Sequence, residues 1–112
     1  MQLLIIPFIG FGQLRGEGNY KDGKKDGLWK YYYDTHQLRE EGNYQDGKRE
    51  GLWKYYILGQ LRTKGNYENG KKEGFWKHYY PNGKLRGEGN FKDGELISVK
   101  CWDEKGKEIE CE

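Results

Sequence analysis

Few side chains in this sequence could support catalysis, and their spacing does not assemble them into an active site. A hydrolytic triad needs a nucleophile, a base and an orienting acid. Ser98 is the only serine, and the two histidines are His36 and His78. His36 lies in a predicted turn, and His78 takes the place of a tyrosine in a recurring W-K-Y-Y pattern. We therefore expect a protein that is not an enzyme and that needs no cofactor or metal ion.

The two cysteines, Cys101 and Cys111, leave two alternatives open. Two thiols are too few to hold a structural metal ion. A hairpin with its tip at residues 105–107 would place them directly opposite each other, where a disulfide is geometrically allowed. An oxidising compartment would favour the disulfide, whereas two free thiols are expected in the cytosol. An apolar run in residues 1–12 has no Lys or Arg before it and no small-residue cleavage site after it, so we expect a cytoplasmic protein, with an exported protein or one that has lost upstream residues as the alternatives.

The composition favours a β-rich fold with an aromatic core. Of the 112 residues, 34% are hydrophobic, 34% are charged and 18 are glycine, which is too polar for an ordinary two-layer core. Aromatic residues nevertheless make up 16% of the chain, and each such ring can bury about 150–250 Å². The sequence contains no alanine and few runs of helix-forming residues, which excludes a helical bundle.

The charge pattern does not indicate a nucleic-acid partner. The net charge is +2, and the two signs alternate along the chain. Nucleic-acid-binding proteins usually carry a clustered basic face, because neutralising phosphates dominates their affinity. A column of arginines does recur, at Arg15, Arg39, Arg62 and Arg86. Glutamates two residues further on offset most of its charge, at Glu17, Glu41 and Glu88.

A repeat of 23 or 24 residues organises the chain. Trp29, Trp53 and Trp76 lie 24 and 23 residues apart, and the same intervals separate equivalent Leu, Gly and Tyr or Phe residues. A fixed period of this length is typical of repeat architectures. A single repeat domain, 1–112, then consists of an N-terminal capping strand or truncated half-repeat (1–11), repeat 1 (12–36), repeat 2 (37–59), repeat 3 (60–83), a degenerate repeat 4 (84–106) and a C-terminal capping strand (107–112).

Each unit is predicted to form a β-hairpin. Two short β-prone segments flank an Asp-Gly or Asn-Gly pair, first at Asp22-Gly23, and such pairs favour tight hairpin turns. A second turn signal, clearest at residues 81–83, joins one hairpin to the next. The predicted fold is therefore all-β: an elongated, single-layer antiparallel β-meander of tandem hairpin repeats with no helix.

The glycines and rings also predict a register. Pairing Tyr20 with Trp29 would set Gly18 opposite Tyr31, so that rings lie over glycines. This register gathers one aromatic face: Leu14, Tyr20, Trp29, Tyr31 and Tyr33, then Leu38, Tyr44, Trp53, Tyr55 and Ile57, then Leu61, Tyr67, Trp76, His78 and Tyr80. The opposite face would carry mixed charges and further tyrosines, among them Glu17, Lys30 and Tyr32. Cross-strand charge pairs contribute little each, so this second face is expected to favour solubility more than stability.

The unit follows the spacing G-x-Y-x-[DN]-G-K-x-x-G-x-W-x-x-Y-Y-x-x-G-x-L. In the first copy the matching residues are Gly18, Tyr20, Asp22, Gly23, Lys24, Gly27, Trp29, Tyr32, Tyr33 and Leu38. This pattern, over about residues 12–106, resembles the MORN repeat variant, specifically the bacterial form found in YwqK-type antitoxins. The resemblance implies a β-meander that binds other proteins, in some eukaryotic relatives near membranes, and it does not imply catalysis. The fourth copy departs from it, because Val99 stands at the Trp position, as in a terminal cap.

These observations lead to the hypothesis of a protein-binding scaffold, of which an antitoxin or immunity protein that binds a toxin would be one form. Tyr and Trp dominate many binding interfaces. The expected partner-binding residues are Tyr20, Trp29, Tyr31, Tyr44, Trp53, Tyr55, Tyr67, Trp76, His78 and Tyr80. Association with an anionic membrane surface is the alternative, weakened by the balanced charge and the lack of an amphipathic helix. A homodimer through unpaired edge strands is a third possibility.

Overall fold

The computed structural model describes residues 2–5 and 15–112, which form one open antiparallel sheet. Its ten strands lie in sequence order, so that each strand pairs with the next one along the chain. No helix occurs among the described residues. The predicted all-β meander is therefore confirmed. The strands are β1 (Gln2–Ile5), β2 (Arg15–Lys21), β3 (Lys24–Tyr32), β4 (Leu38–Gln45), β5 (Lys48–Ile57), β6 (Gln60–Glu68), β7 (Lys71–Tyr79), β8 (Leu85–Lys92), β9 (Glu95–Trp102) and β10 (Glu108–Ile109).

The N-terminal cap is described in part. Strand β1 pairs with β2 from Gln2 opposite Tyr20 to Ile5 opposite Glu17, which gives β2 a neighbour on its outer edge. The remainder of the predicted cap and the start of repeat 1, including Leu14 on the predicted aromatic face, lie outside the described residues.

The hairpin turns have the conformation that their sequences predict. Asp22 and Gly23 both have positive φ, 51° and 77°, which is the geometry of a two-residue turn whose twist matches that of the flanking strands. The same pair of conformations recurs at Asp46-Gly47, Asn69-Gly70 and Asp93-Gly94. A tight turn fixes which residues face each other next to it, and Tyr20 consequently lies opposite Lys25.

The predicted pairing of Tyr20 with Trp29 is wrong. Trp29 lies opposite Gly18, and Tyr31 lies opposite Gly16. The two-residue turn sets Tyr20 opposite Lys25, which excludes the predicted pair. A bulge in β3 at Gly27, whose φ is +76°, follows these turn-proximal pairs. A bulge places extra residues on one strand and shifts every later pair. Without the bulge the turn register would set Trp29 opposite Gly16, and the bulge places the indole over Gly18 instead.

One face of the sheet, hereafter the ring face, carries the core. Trp29, Trp53 and Trp76 have exposed fractions of 0%, 0% and 1%. Tyrosines separate the indoles, since Tyr44 meets the ring of Trp53 edge-on at 5.2 Å and Tyr67 meets that of Trp76 at 5.0 Å. Edge-to-face contacts are a favoured aromatic geometry. A continuous ladder of rings therefore replaces the second layer that a sheet usually needs.

Glycines are required beneath the indoles. A methyl group added at Gly18, Gly42 or Gly65 would lie under 3.0 Å from atoms of the indole above it. Side chains at these positions would push the indoles away from the sheet. The G-N-Y pattern of the first strand in each hairpin thus creates the groove that the tryptophan fills.

Candidate functional site

A column of cations covers the indoles on the ring face. The charged ends of Lys25, Arg49 and Lys72 lie 4.8, 4.1 and 4.6 Å from the ring centroids of Trp29, Trp53 and Trp76. A cation over an indole face is attracted by the ring quadrupole. Each cation reaches this position because it lies opposite a ring-face tyrosine next to the hairpin turn. These side chains are part of the core's cover, and they recur at the same 24- and 23-residue intervals as the tryptophans.

The middle hairpin contains an ion pair within this cover, between a partly exposed arginine and a buried glutamate. Arg49 donates to Glu40 at 2.8 Å and to the hydroxyl of Tyr55 at 2.7 Å. Glu40 is 5% exposed. Burial opposes the charge of the guanidinium, yet the nearby Tyr55, Tyr44 and Glu40 together hold the pKa of Arg49 above its ordinary value. The two hydroxyls of Tyr55 and Tyr67 lie 3.1 Å apart, which extends the hydrogen-bonded network to the next hairpin.

Burial also raises the pKa values of two ring-face tyrosines, Tyr31 and Tyr44. The hydroxyls of Tyr31 and Tyr44 lie 2.9 Å apart. Burial, together with the hydrogen bond between Tyr44 and Tyr31, raises the pKa of Tyr44 to about 12. These phenols therefore stay neutral at physiological pH and act as hydrogen-bonding groups rather than as acids or bases.

His78 occupies the tyrosine position of the third hairpin. Its Nδ1 lies 2.9 Å from the hydroxyl of Thr63. Burial of part of the ring, with the nearby Lys72 and Arg86, lowers the pKa of His78 below its ordinary value. The imidazole is therefore neutral at pH 7. Its position supports the reading of a ring that substitutes for a ring.

The residues predicted to bind a partner divide into two groups. Trp29, Trp53, Trp76, Tyr31 and Tyr44 are buried in the ring ladder. Tyr20, Tyr55, Tyr67, His78 and Tyr80 keep part of their surface accessible to solvent. Composition alone could not separate the groups, because exposure depends on the register and on the cations that close over the rings.

The opposite face, hereafter the outer face, carries a row of exposed apolar side chains. Leu28, Leu52 and Phe75 directly precede the three indole residues, and they are 48%, 45% and 56% exposed. Since side chains alternate between faces, a residue next to a buried indole points away from it. The sequence showed this row as a Leu or Phe before each tryptophan, but it was not identified as a surface.

A second row on the outer face consists of half-buried tyrosines. Tyr32 donates to Glu17 at 2.9 Å, and Tyr56 donates to Glu41 at 2.7 Å. Burial and the bonded carboxylate raise the pKa of Tyr56 to about 12. A row of charged residues runs between the apolar row and the tyrosine row, so the outer face offers apolar, charged and hydroxyl groups side by side.

The C-terminal hairpin is joined by a disulfide. Cys101 and Cys111 are bonded, with their Cα atoms 5.3 Å apart. Cys101 lies opposite Ile109 in the strand pairing, so the expectation that the two cysteines face each other directly is wrong. Val99, at the position of a tryptophan, is 50% exposed. This terminal unit ends the ring ladder without covering its own apolar residues.

Comparisons with known proteins agree with the repeat. A family model described as MORN repeat variant matches residues 25–46 and 72–93. Each match includes one strand pair, β3–β4 or β7–β8, with its indole and the glycine that follows on the partner strand. A search of curated proteins finds no match. Two segments of the chain thus match the MORN repeat variant, and each spans the boundary between two of the predicted units.

Two further observations concern the described residues alone. Among residues 2–5 and 15–112, no helix is long and apolar enough to cross a membrane. In the same part of the chain, no group of three or more His, Cys, Asp or Glu side chains is arranged to hold a metal ion.

Proposed function

We propose that this chain is a non-enzymatic MORN-type scaffold that binds another protein through its outer face. The observation that carries this proposal is the exposed apolar row, Leu28, Leu52 and Phe75. Equivalent strands of successive hairpins lie about 10 Å apart, since neighbouring strands are spaced by about 4.8 Å. The row therefore forms a strip about 20 Å long. Asn43 and Asn66 on the intervening strands lie opposite Leu28 and Leu52, so the strip alternates apolar and amide side chains. An exposed apolar surface bordered by polar groups is typical of an interaction site.

The outer face supports this role better than the ring face. On the ring face, the largest contact surfaces belong to indoles that are already buried in the core, and Arg49 and its equivalents cover them. A partner docking there would have to displace charged side chains from the rings. On the outer face, the apolar side chains are accessible without any rearrangement, and polar groups border them as in the rim of an interface.

A toxin is one class of partner that fits the proposal. The resemblance of the repeat spacing to YwqK-type antitoxins supports it, and the exposed apolar row suits neutralisation by binding. In this form of the proposal, the scaffold would cover a toxin surface and so inhibit it. Binding and inhibition of a purified toxin encoded beside this gene would test it, and the absence of inhibition by a bound scaffold would contradict the antitoxin role.

The face can be tested with matched variants in a partner-capture experiment. The outer-face variant is Leu28→Ser with Leu52→Ser and Phe75→Ser. The control is Leu58→Ser, which alters a residue that is 76% exposed but lies in a turn. We expect the wild type and the control to retain a protein in stoichiometric amount and the outer-face variant to lose it.

A third variant separates the two faces. His78→Ser alters an exposed side chain of the ring face without removing a ring that contacts an indole. We expect this variant to retain the partner. If it loses the partner while the outer-face variant retains it, binding would be assigned to the ring face instead. Co-sedimentation with anionic vesicles examines the membrane-surface alternative, which predicts that the protein pellets with vesicles in the absence of any partner.

A further inference from the structure

We propose that the outer face binds an acidic protein segment at three adjacent lysines, Lys54, Lys64 and Lys77, hereafter the lysine row. This inference rests on the proposed function and names the chemistry of the partner. The three residues lie on neighbouring strands, with Lys64 directly opposite Lys54 on one side and Lys77 on the other. They sit in the charged row between the exposed apolar residues and the tyrosines.

The lysine row is an exception to the charge pattern of the other hairpins. Elsewhere in this row a glutamate on the first strand of a hairpin faces lysines on its neighbours, as Glu41 does with Lys30 and Lys54. Glu88 likewise faces Lys77 and Lys100. The third hairpin has Lys64 at the glutamate position, where the sequence reads T-K-G instead of E-E-G or G-E-G. One substitution thus converts an alternating row into three consecutive cations.

This arrangement is unfavourable for the fold. Side chains directly opposite each other on a sheet face have Cβ atoms about 4.5–5.5 Å apart, and like charges in such pairs destabilise the sheet. Among residues 15–112, the one ion pair within 4.0 Å joins Arg49 and Glu40. No carboxylate in this part of the chain therefore pairs with any of the three lysines. The ammonium of Lys64 instead lies 5.9 Å from the ring centroid of Tyr79. The three charges are available to neutralise an anionic partner.

The size of the lysine row favours a short segment over an extended polyanion. The row covers two strand spacings, about 10 Å, and Glu41 and Glu88 border it at its two ends. A membrane surface or a nucleic acid would bring further negative charges against these carboxylates. Two or three carboxylates of a peptide fit between them.

The neighbouring residues indicate what else such a segment contains. Leu52 and Phe75 are exposed on the same face, two residues from Lys54 and Lys77 along their strands. Tyr56 and Tyr79 lie to the other side. A segment in which acidic residues alternate with Leu or Phe would satisfy the lysines and the apolar row together.

The substitution Lys64→Glu tests this inference, because it restores the alternation of the other hairpins. We expect it to raise Tm by about 3–6 °C, as removal of two like-charge contacts predicts for a domain of this size. We also expect it to weaken binding of a fluorescein-labelled peptide of alternating Glu and Leu or Phe residues at least tenfold, measured by fluorescence anisotropy. A peptide with Gln in place of Glu controls for apolar binding and should bind the wild type at least tenfold more weakly.

Several results would overturn the inference. Equal affinity of the wild type and Lys64→Glu for the acidic peptide would show that the lysine row does not recognise it. A fall in Tm for Lys64→Glu would show that the three cations are not in conflict. Binding of vesicles containing phosphatidylglycerol that depends on Lys64, without binding of the peptide, would make a membrane the occupant instead of a protein segment.

The inference can fail separately from the proposed function. A partner that is captured by Lys64→Glu but lost by the outer-face variant would support the scaffold and refute its acidic chemistry. A partner whose capture is insensitive to both variants would refute the outer face itself and the lysine row with it.

Discussion

Replacing Gly42 with alanine tests the packing of the ring ladder at its centre. Gly42 lies directly beneath Trp53, and an added methyl group would approach the indole to less than 3.0 Å. Trp53 is fully buried and donates a hydrogen bond from its ring nitrogen to the carbonyl of Asn43 at 3.0 Å. The indole cannot move along the sheet without losing this bond and its contacts with Tyr44. The methyl group therefore forces the ring away from the strand.

The loss in free energy of unfolding caused by Gly42→Ala lies between two limits. If the backbone and ring share the displacement, overpacking costs about 1–3 kcal/mol. If the indole leaves its groove, the loss of about 150–250 Å² of buried surface at about 25 cal/mol per Å² amounts to about 4–6 kcal/mol. Neighbouring rings lock the indole on both sides, so we expect about 3–5 kcal/mol, a large fraction of the about 5–15 kcal/mol that stabilises a typical domain.

Urea denaturation, followed by circular dichroism and tryptophan fluorescence, measures this cost. The matched control is Gly87→Ala, because an added methyl group there would make ordinary contacts of 3.6 Å or more. We expect the control to lie within about 1 kcal/mol of the wild type, with a small gain where alanine restricts the unfolded chain. A Gly42→Ala protein as stable as Gly87→Ala, with unchanged fluorescence, would refute the account of rings packed over glycine.

Further predictions concern the charged and titratable groups of the ring face. The pKa of His78 is lowered in the folded state, so its contribution to the free energy of unfolding is complete above pH 6.5 and is lost as the pH falls below that value. In thermal denaturation, the Tm of His78→Phe should therefore fall less between pH 7 and pH 5 than the Tm of the wild type. Arg49→Met leaves Glu40 buried without its partner, and because Arg49 is partly exposed we expect a discounted cost of about 2–3 kcal/mol in chemical denaturation, more than for Lys25→Met, which strands no carboxylate. Tyr44, with a pKa raised to about 12, should lose its stabilising effect as the pH rises above 10, and an absorbance titration that shows only phenols with pKa near 10 would contradict its burial.

The sequence predicted the fold because its signals are local and repeated. The Asp22-Gly23 turn and its equivalents specify hairpins, and a period of 23 or 24 residues specifies their succession. The register of strand pairing within a hairpin was harder to predict from the sequence. It depends on the bulge at Gly27, and a glycine in a strand pattern indicates either a bulge or a close approach of another group. The sequence contains both kinds, and only the three-dimensional arrangement separates Gly27 from Gly18.

The candidate site was predicted only in part for a similar reason. The tryptophans were expected to share one face with tyrosines such as Tyr44, and they do, but these residues also serve as core because the described sheet is a single layer. The cations that cover them, such as Arg49, looked like solvated surface charges until the turn register placed them over the indoles. The exception at Lys64 was visible in the sequence, yet its meaning required the pairing with Lys54 and Lys77.

The central claim of this account is that the ring face is core and the outer face is free to bind. Hydroxyl-radical footprinting with mass spectrometry tests it most directly at two adjacent residues, Phe75 and Trp76, which are 56% and 1% exposed. After correction for the intrinsic reactivity of each side chain, we predict strong labelling of Phe75 and protection of Trp76 in the folded protein. Equal labelling of the two residues, or stronger labelling of Trp76, would contradict the claim.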